Sequence, residues 1–261
     1  MCGRYTLGRT DPSAFDDRFG GTIDAAALGR YNVAPTQPVP ILSGGPAPSE
    51  RSARLASWGL LPPWARSRKD RLKPINARAE DLPEKRLFAP LLADARHRVL
   101  VPADGWYEWL RAEDGAKRKQ GATVAAPFHH VVDDGAPFAF AGLARSVRVA
   151  DEPGPKGFEE LEGRLRLPPR EDREDDGRIG LRTVTIVTCA ANAVAARLHD
   201  RMPVVLAGPE EEAAWLDPAV DGRDALELLR PLEDARLAVR PASTRANKVD
   251  NEGPELLDGE G

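Results

Sequence analysis

Residues 98–109 read RVLVPADGWYEW. A near-continuous apolar run, an Asp-Gly pair and an aromatic-rich run follow one another, so the stretch predicts a strand, a glycine turn and a second strand. The same reading extends outward along the chain. Residues 2–8 form a short strand that ties down the N-terminus. RYNVAPTQPVPIL (30–42) carries three prolines that forbid helix, so it is expected as an extended edge segment. RLASWGLLPPW (54–64) predicts a strand and then a proline-rich loop. PFAFAGLAR (137–145) and RTVTIVTCA (182–190) predict strands, and 236–241 a last one. Helices are short: 12–20, stopped by Gly20 and Gly21; 83–96, with Pro90 as a break; 209–217, opened by Pro209 and acids; and 222–230. A helical turn over 191–198 leads into an extended HDRMPVVL. The expected fold is α+β, one strand-rich domain over residues 1–250 with mixed or antiparallel sheets and peripheral helices. Residues 251–261 are expected as a mobile acidic tail.

Composition narrows the classes. The 261 residues are 41% hydrophobic and 30% charged, enough for a sizeable core. There is no run of about 18 apolar residues and no signal-peptide plan, so neither a membrane partner nor export is expected. Cys2 and Cys189 alone give no disulfide framework and no zinc spacing, which fits a reducing cytoplasm. Arginine outnumbers lysine 30 to 7, a codon signature of a GC-rich bacterium. The net charge of −4 is unevenly spread. Residues 51–119 carry 16 basic and 9 acidic side chains, compatible with a phosphate-binding groove or with a solvated basic face. Residues 151–180 carry 10 acidic and 6 basic side chains among Pro and Gly and read as a surface insertion between two strands.

The chain opens MCGRYTLG. Cys is small enough for Met1 to be removed, which would expose an α-amine and a thiol on adjacent carbons. Such an aminothiol captures aldehydes: the amine forms a Schiff base and the thiol closes a five-membered thiazolidine. Both groups titrate near neutrality, at about 8 for the amine and about 8.5 for the thiol. Other candidates are scattered. Asn76 and Arg78, in PINARAE, can hold a sugar or aldehyde oxygen and a phosphate, or form a turn and a surface. Glu108 lies between Trp106 and Trp109; alternation puts Trp106 and Glu108 on one face, a setting for proton transfer. His199, beside Asp200 and Arg201, can shuttle protons or serve a structural hydrogen bond. Trp58, Trp64 and Trp106 can stack unpaired bases or fill the core. Cys189 reads as a buried small hydrophobe; His97, His129 and His130 receive no role.

Taken together, MCGRYTL, RYNVAPTQ, SWGLLPPW, INARAE, ADGWYEW and HDRMPVVL stand in the order found in the SOS-response-associated peptidase (SRAP) family of abasic-site processing proteins, and the chain resembles that family over about residues 2–250. The resemblance implies a strand-rich α+β fold and a covalent thiazolidine crosslink between Cys2 and the ring-opened aldehyde of an abasic site in single-stranded DNA. Asn76 would orient the terminal residue and the sugar. Glu108 would assist ring opening and proton transfer, and His199 would take part in proton transfer and reversal. Arg4, Arg78 and Arg201 would contact phosphates, and Trp58, Trp64 and Trp106 would form a wedge or stacking surface. A Schiff base also permits weak lyase chemistry. No metal or organic cofactor is implied, and a cytoplasmic, nucleoid-associated monomer is expected. Two departures from the family pattern are the long acidic segment 151–180 and the small-residue stretch GATVAA (121–126). Two other readings stand beside this one: an N-terminal-nucleophile cysteine peptidase using Cys2, and a non-covalent single-stranded DNA sensor in which Cys2 only anchors the terminus.

Overall fold

Thirteen strands and four short α-helices are found among the described residues. They are seen in a computed structural model that describes residues 2–8, 11–21, 23, 27–67, 69–110, 126–150, 178–206 and 208–259. The largest element pair is β9 (Phe138–Ala150) with β10 (Arg178–Ala190), two 13-residue antiparallel strands in register from Arg178↔Ala150 to Ile186↔Gly142. β10 also runs parallel to β4 (Arg51–Trp58). β4 pairs with β3 (Pro38–Gly44), β3 with β6 (Arg98–Ala103), and β6 with β9. That cycle of five pairings closes a five-stranded barrel, which leaves these strands without a free edge. β5 (Asn76–Arg78) and β11 (Arg201–Pro203) flank β10 outside the ring, and β12 (Val205–Leu206) extends β9.

A second sheet is wholly antiparallel, in the order β13 (Leu237–Pro241), β8 (Pro127–Val132), β7 (Gly105–Trp109), β1 (Tyr5–Leu7), β2 (Arg30–Val33). The N-terminal strand is therefore internal to the sheet. Between sheet and barrel lies an aromatic core: Tyr5 meets Trp58 at 5.4 Å and Phe140 at 5.9 Å, and Trp106 meets Phe140 at 6.0 Å, all edge-on. The helices pack outside: α1 (Pro12–Phe19), α2 (Ala89–Ala93), α3 (Pro209–Leu216) and α4 (Gly222–Glu227). Asp11 caps α1 by accepting from the Ala14 N–H, and α3 inserts Trp215, whose Nε1 donates to the Val99 carbonyl at 3.1 Å.

The α+β class and the mixed sheets agree with the sequence reading; several local expectations do not. The strands in 98–109 do not form a hairpin. β6 joins the barrel and β7 the other sheet, and Gly105 is a strand residue where a Cβ would lie 2.2 Å from His129 Nε2. The proline-rich β3 is not an edge strand. It lies between β4 and β6, with only Leu42↔Leu100 in register with β6, so Pro38 and Pro40 interrupt no ladder on that side. Pro90 lies in the first turn of α2 rather than breaking a longer helix, because proline suits a first turn whose N–H groups are unsatisfied anyway. Residues 251–259 are not a loose tail. Leu256 is fully buried, the Ser243 N–H donates to its carbonyl, and Glu252 accepts from the Tyr31 N–H at 2.8 Å. The expected insertion 151–180 and the GATVAA stretch fall, through residues 177 and 125, outside the described residues; 178–180 already belong to β10.

Candidate active site at the N-terminus

Cys2 stands three residues before β1 and is held from two directions. The Tyr107 N–H donates to the Arg4 carbonyl at 2.9 Å, which clamps the approach to β1 against β7. Asn76 Nδ2 donates to the carbonyl of Cys2 itself at 2.7 Å. Asn76 opens β5 opposite Ile186, so its position is set by a parallel pairing with β10, one of the two 13-residue strands of the barrel. Its Oδ1 is a buried acceptor with no hydrogen-bond partner among the described residues. The amide thus fixes Cys2 with one end and keeps the other available.

The Cys2 side chain is fully buried. Burial pushes the thiol well above its ordinary range, and the nearby Glu108 carboxylate pushes it the same way. Glu108 is itself buried on β7, flanked by Trp106 and Trp109. The thiol donates to the Arg4 carbonyl at 3.9 Å, and the Glu108 carboxylate lies near enough to act on it electrostatically, so the carboxylate can take the sulfur's proton when the sulfur attacks.

His199 belongs to a second group at the far end of β5. It sits in the turn from β10 to β11, with its backbone N–H donating to Ala195. Its Nδ1 has two competing partners. A neutral ring accepts from the Arg201 N–H at 3.0 Å, and a protonated ring can donate to Asp200 Oδ1 at 2.8 Å. Arg201 in turn forks onto Glu80, with Nη2 at 2.9 Å from Oε2, and donates to the Thr188 carbonyl at 2.7 Å.

The other predicted residues divide. Trp58 and Trp106 are fully buried and cannot present a ring to a base. Trp58 donates from Nε1 to the Ile75 carbonyl at 2.9 Å, next to Asn76, and Trp106 stacks on His130 at 4.8 Å. Strand alternation could not separate Trp106 from a surface aromatic, because β7 is covered on both faces, and Trp58 stands at the end of β4 where the chain turns into the core. Trp64 is 65% exposed on the loop after β4, followed by a basic stretch in which Leu72 is also exposed. Its loop is not free-standing: Leu61 and Ala65 pack on Val147, Val149 and Leu181 of the β9–β10 arm. Arg78 is exposed at the end of β5. Arg4 is committed inside the protein, donating from Nη1 to Asn32 Oδ1 at 2.6 Å and to the Ala246 carbonyl at 2.9 Å. Arg201 is likewise occupied by Glu80. Arg4 and Arg201, both expected at phosphates, are thus held by protein groups in this structure. The sequence reading also passed over Glu80, whose one signal is an acid two residues beyond Arg78.

The family model described as SOS response associated peptidase (SRAP) matches residues 1–249. The chain belongs to the SRAP family. Among its relatives, the abasic site processing protein YoaM of Bacillus subtilis is 34% identical, covering 100% of this chain and 99% of its own. The abasic site processing protein YedK of Escherichia coli is 30% identical, covering 98% and 99%. A crystal structure of a Bacteroides thetaiotaomicron protein matches with a TM-score of 0.73 at 21% identity, covering 99% of this chain and 100% of that one. That likeness is one of fold. The SRAP match runs past β13 and includes all six motifs. Among the described residues, no helix of this family member is long and apolar enough to cross a membrane.

Proposed function

We propose that this SRAP protein processes abasic sites in single-stranded DNA by forming a thiazolidine crosslink through Cys2. The observation that carries the reading is the seat of Cys2: its carbonyl held by Asn76 and its buried thiol beside Glu108. The relatives' names as abasic site processing proteins support it.

Met1 is removed first, which frees the α-amine of Cys2. The amine adds to the aldehyde carbon of the ring-opened sugar, and water leaves to give a protonated Schiff base. Sulfur then attacks the same carbon. The electrons of the C=N bond return to nitrogen, and the thiol proton passes to Glu108. The product is protein plus DNA less one water. Asn76 Oδ1 is suited to a sugar hydroxyl or the aminium N–H, and His199 to proton transfer with the sugar. Until closure the Schiff base acidifies the neighbouring carbon, so a small flux of β-elimination with loss of the 3′ phosphate accompanies capture. An abasic site offers no base edge, so recognition falls to phosphate, stacking and the aldehyde. Arg78 and Trp64 are the exposed groups suited to the first two. The reaction requires no metal and no organic cofactor.

The test is the intact mass of purified protein, alone and after incubation with a single-stranded oligonucleotide bearing one abasic site. The expected result is loss of Met1 and a stable adduct at the summed masses less one water, absent in Cys2→Ser. Retained Met1 and no adduct would overturn the reading.

A further inference from the structure

The ion pair between Glu80 and Arg201 lies outside the Cys2 seat, yet it joins the two segments on which the proposed chemistry depends. Glu80 sits in the single 3-10 turn Ala79–Asp81 that follows β5. Four residues before it, Asn76 holds Cys2. Two residues before Arg201 is His199, whose Nδ1 accepts from the Arg201 N–H. We infer that Glu80 is a positioning residue: its carboxylate fixes Arg201 so that the His199 turn is held in register with the strand carrying Asn76, with the His199 ring kept in one tautomer. This rests on the proposed capture reaction.

The contacts favour positioning over an incidental surface pair. Isolated ion pairs on a surface contribute little. Here the arginine side chain is only 12% exposed, whereas the glutamate is 54% exposed. The guanidinium meets Glu80 through both terminal nitrogens, and Nη2 also donates to the Thr188 carbonyl on β10. Thr188 is the register partner of Arg78, so the fork is pinned to the same β5–β10 pairing that places Asn76. Nε is buried with no hydrogen-bond partner among the described residues, which leaves Glu80 and Thr188 as the partners the structure gives this cation. A bidentate fork fixes orientation in a way a single contact does not.

Consequences for His199 follow from its two alternatives. With Arg201 fixed, its N–H occupies Nδ1, and a neutral ring carries its proton on Nε2. Nδ1 already lies 2.8 Å from Asp200 Oδ1, so loss of the Arg201 N–H leaves Asp200 as its partner and favours a ring that donates from Nδ1. A loosened turn also misplaces the ring relative to the captured sugar, and misplacement of about 1 Å can cost on the order of 10²-fold in rate.

The experiment compares wild type, Glu80→Ala, Glu80→Gln and Arg201→Lys. Single-turnover capture of an abasic oligonucleotide is followed across pH, with affinity for an intact single strand measured alongside. The expected result is capture slowed by about tenfold or more in Glu80→Ala and Arg201→Lys, with an altered pH profile and affinity within about twofold of wild type. Glu80→Gln, which keeps an acceptor, should recover part of the rate. In parallel, side-chain ¹⁵N shifts of His199, assigned with His199→Gln, should report Nδ1 as an acceptor in wild type and an averaged ring in Glu80→Ala. A wild type that captures while Glu80→Ala matches its rate, pH profile and ring shifts would overturn this inference alone. A wild type that forms no adduct would overturn the capture reaction, and with it any role for Glu80 in that reaction. If Glu80→Ala fails to fold, the rate and ring shifts of Glu80→Gln and Arg201→Lys decide by the same criteria.

Discussion

Two buried glutamates, Glu212 on α3 and Glu108 on β7, have opposite surroundings. Glu212 lies between two arginines, with Arg18 Nη2 at 2.6 Å and Arg51 Nη1 at 3.1 Å. Arg51 also donates to the carbonyls of Phe19 and Pro46, so this cluster fastens α1, α3 and the start of β4 to one another. Glu108 instead acts on the buried Cys2 thiol, which burial first and this carboxylate second make harder to ionise. A carboxylate surrounded by guanidinium groups is silent chemically and stabilises through its partners. A carboxylate beside a neutral nucleophile is poised to receive a proton. The difference teaches that burial of an acid does not by itself mark a site; the identity of its neighbour does.

The sharpest way to break this comparison is Glu212→Ala. It leaves the Arg51 side chain, 1% exposed, without its counter-ion. The expected loss is about 3–5 kcal/mol in denaturant unfolding, with the capture rate of the remaining folded protein unchanged. Glu108→Gln should do the reverse, slowing crosslink formation by about 10²-fold while unfolding stability moves by less than about 1 kcal/mol. Equal stability losses in the two variants would make Glu108 a structural acid.

A buried base on the same sheet gives a further handle. His130 is fully buried on β8 against Trp106, and burial lowers its pKa to about 4. Unfolded, the ring titrates near about 6.5, so between the two values the unfolded chain binds the extra proton. This contribution is therefore fully present above about pH 6.5 and is lost as pH falls toward 4, a change of about 3 kcal/mol. His130→Phe should flatten that part of the stability–pH curve; an unchanged slope would assign the acid sensitivity elsewhere. The smallest effect is expected at the surface. Arg78→Ala should leave stability within about 0.5 kcal/mol. It should reduce the salt slope of single-strand binding by about 1 unit or somewhat less. An unchanged slope would remove Arg78 from the DNA path.

Much of the site was legible because its parts lie in short motifs. Cys2, Asn76, Glu108 and His199 each sit in a recognisable stretch, and GWYEW forms a single strand that carries both Trp106 and Glu108. Failures arose where the answer depends on residues far away in sequence. Trp58 and Trp64 are six positions apart in one motif, yet one is sealed in the core and the other open to solvent. Arg4 was committed by Asn32 and Ala246, and Arg201 by Glu80, partners 28, 242 and 121 residues away.

By itself, then, the sequence determined the strand-rich class, the order of the strands along the chain, and a cysteine at position 2 with an amide, an acid and an imidazole in ordered motifs. These follow from local periodicity and from the chemistry of residue types, which neighbours in sequence do not alter. Only the tertiary structure decided that five strands close a ring, that the terminal strand lies inside a sheet, and that residues 251–259 are docked. It also decided which arginines and tryptophans remain available. Burial and ion pairing are settled by whichever groups the folded chain brings within a few ångströms, and that proximity is not written at any one position.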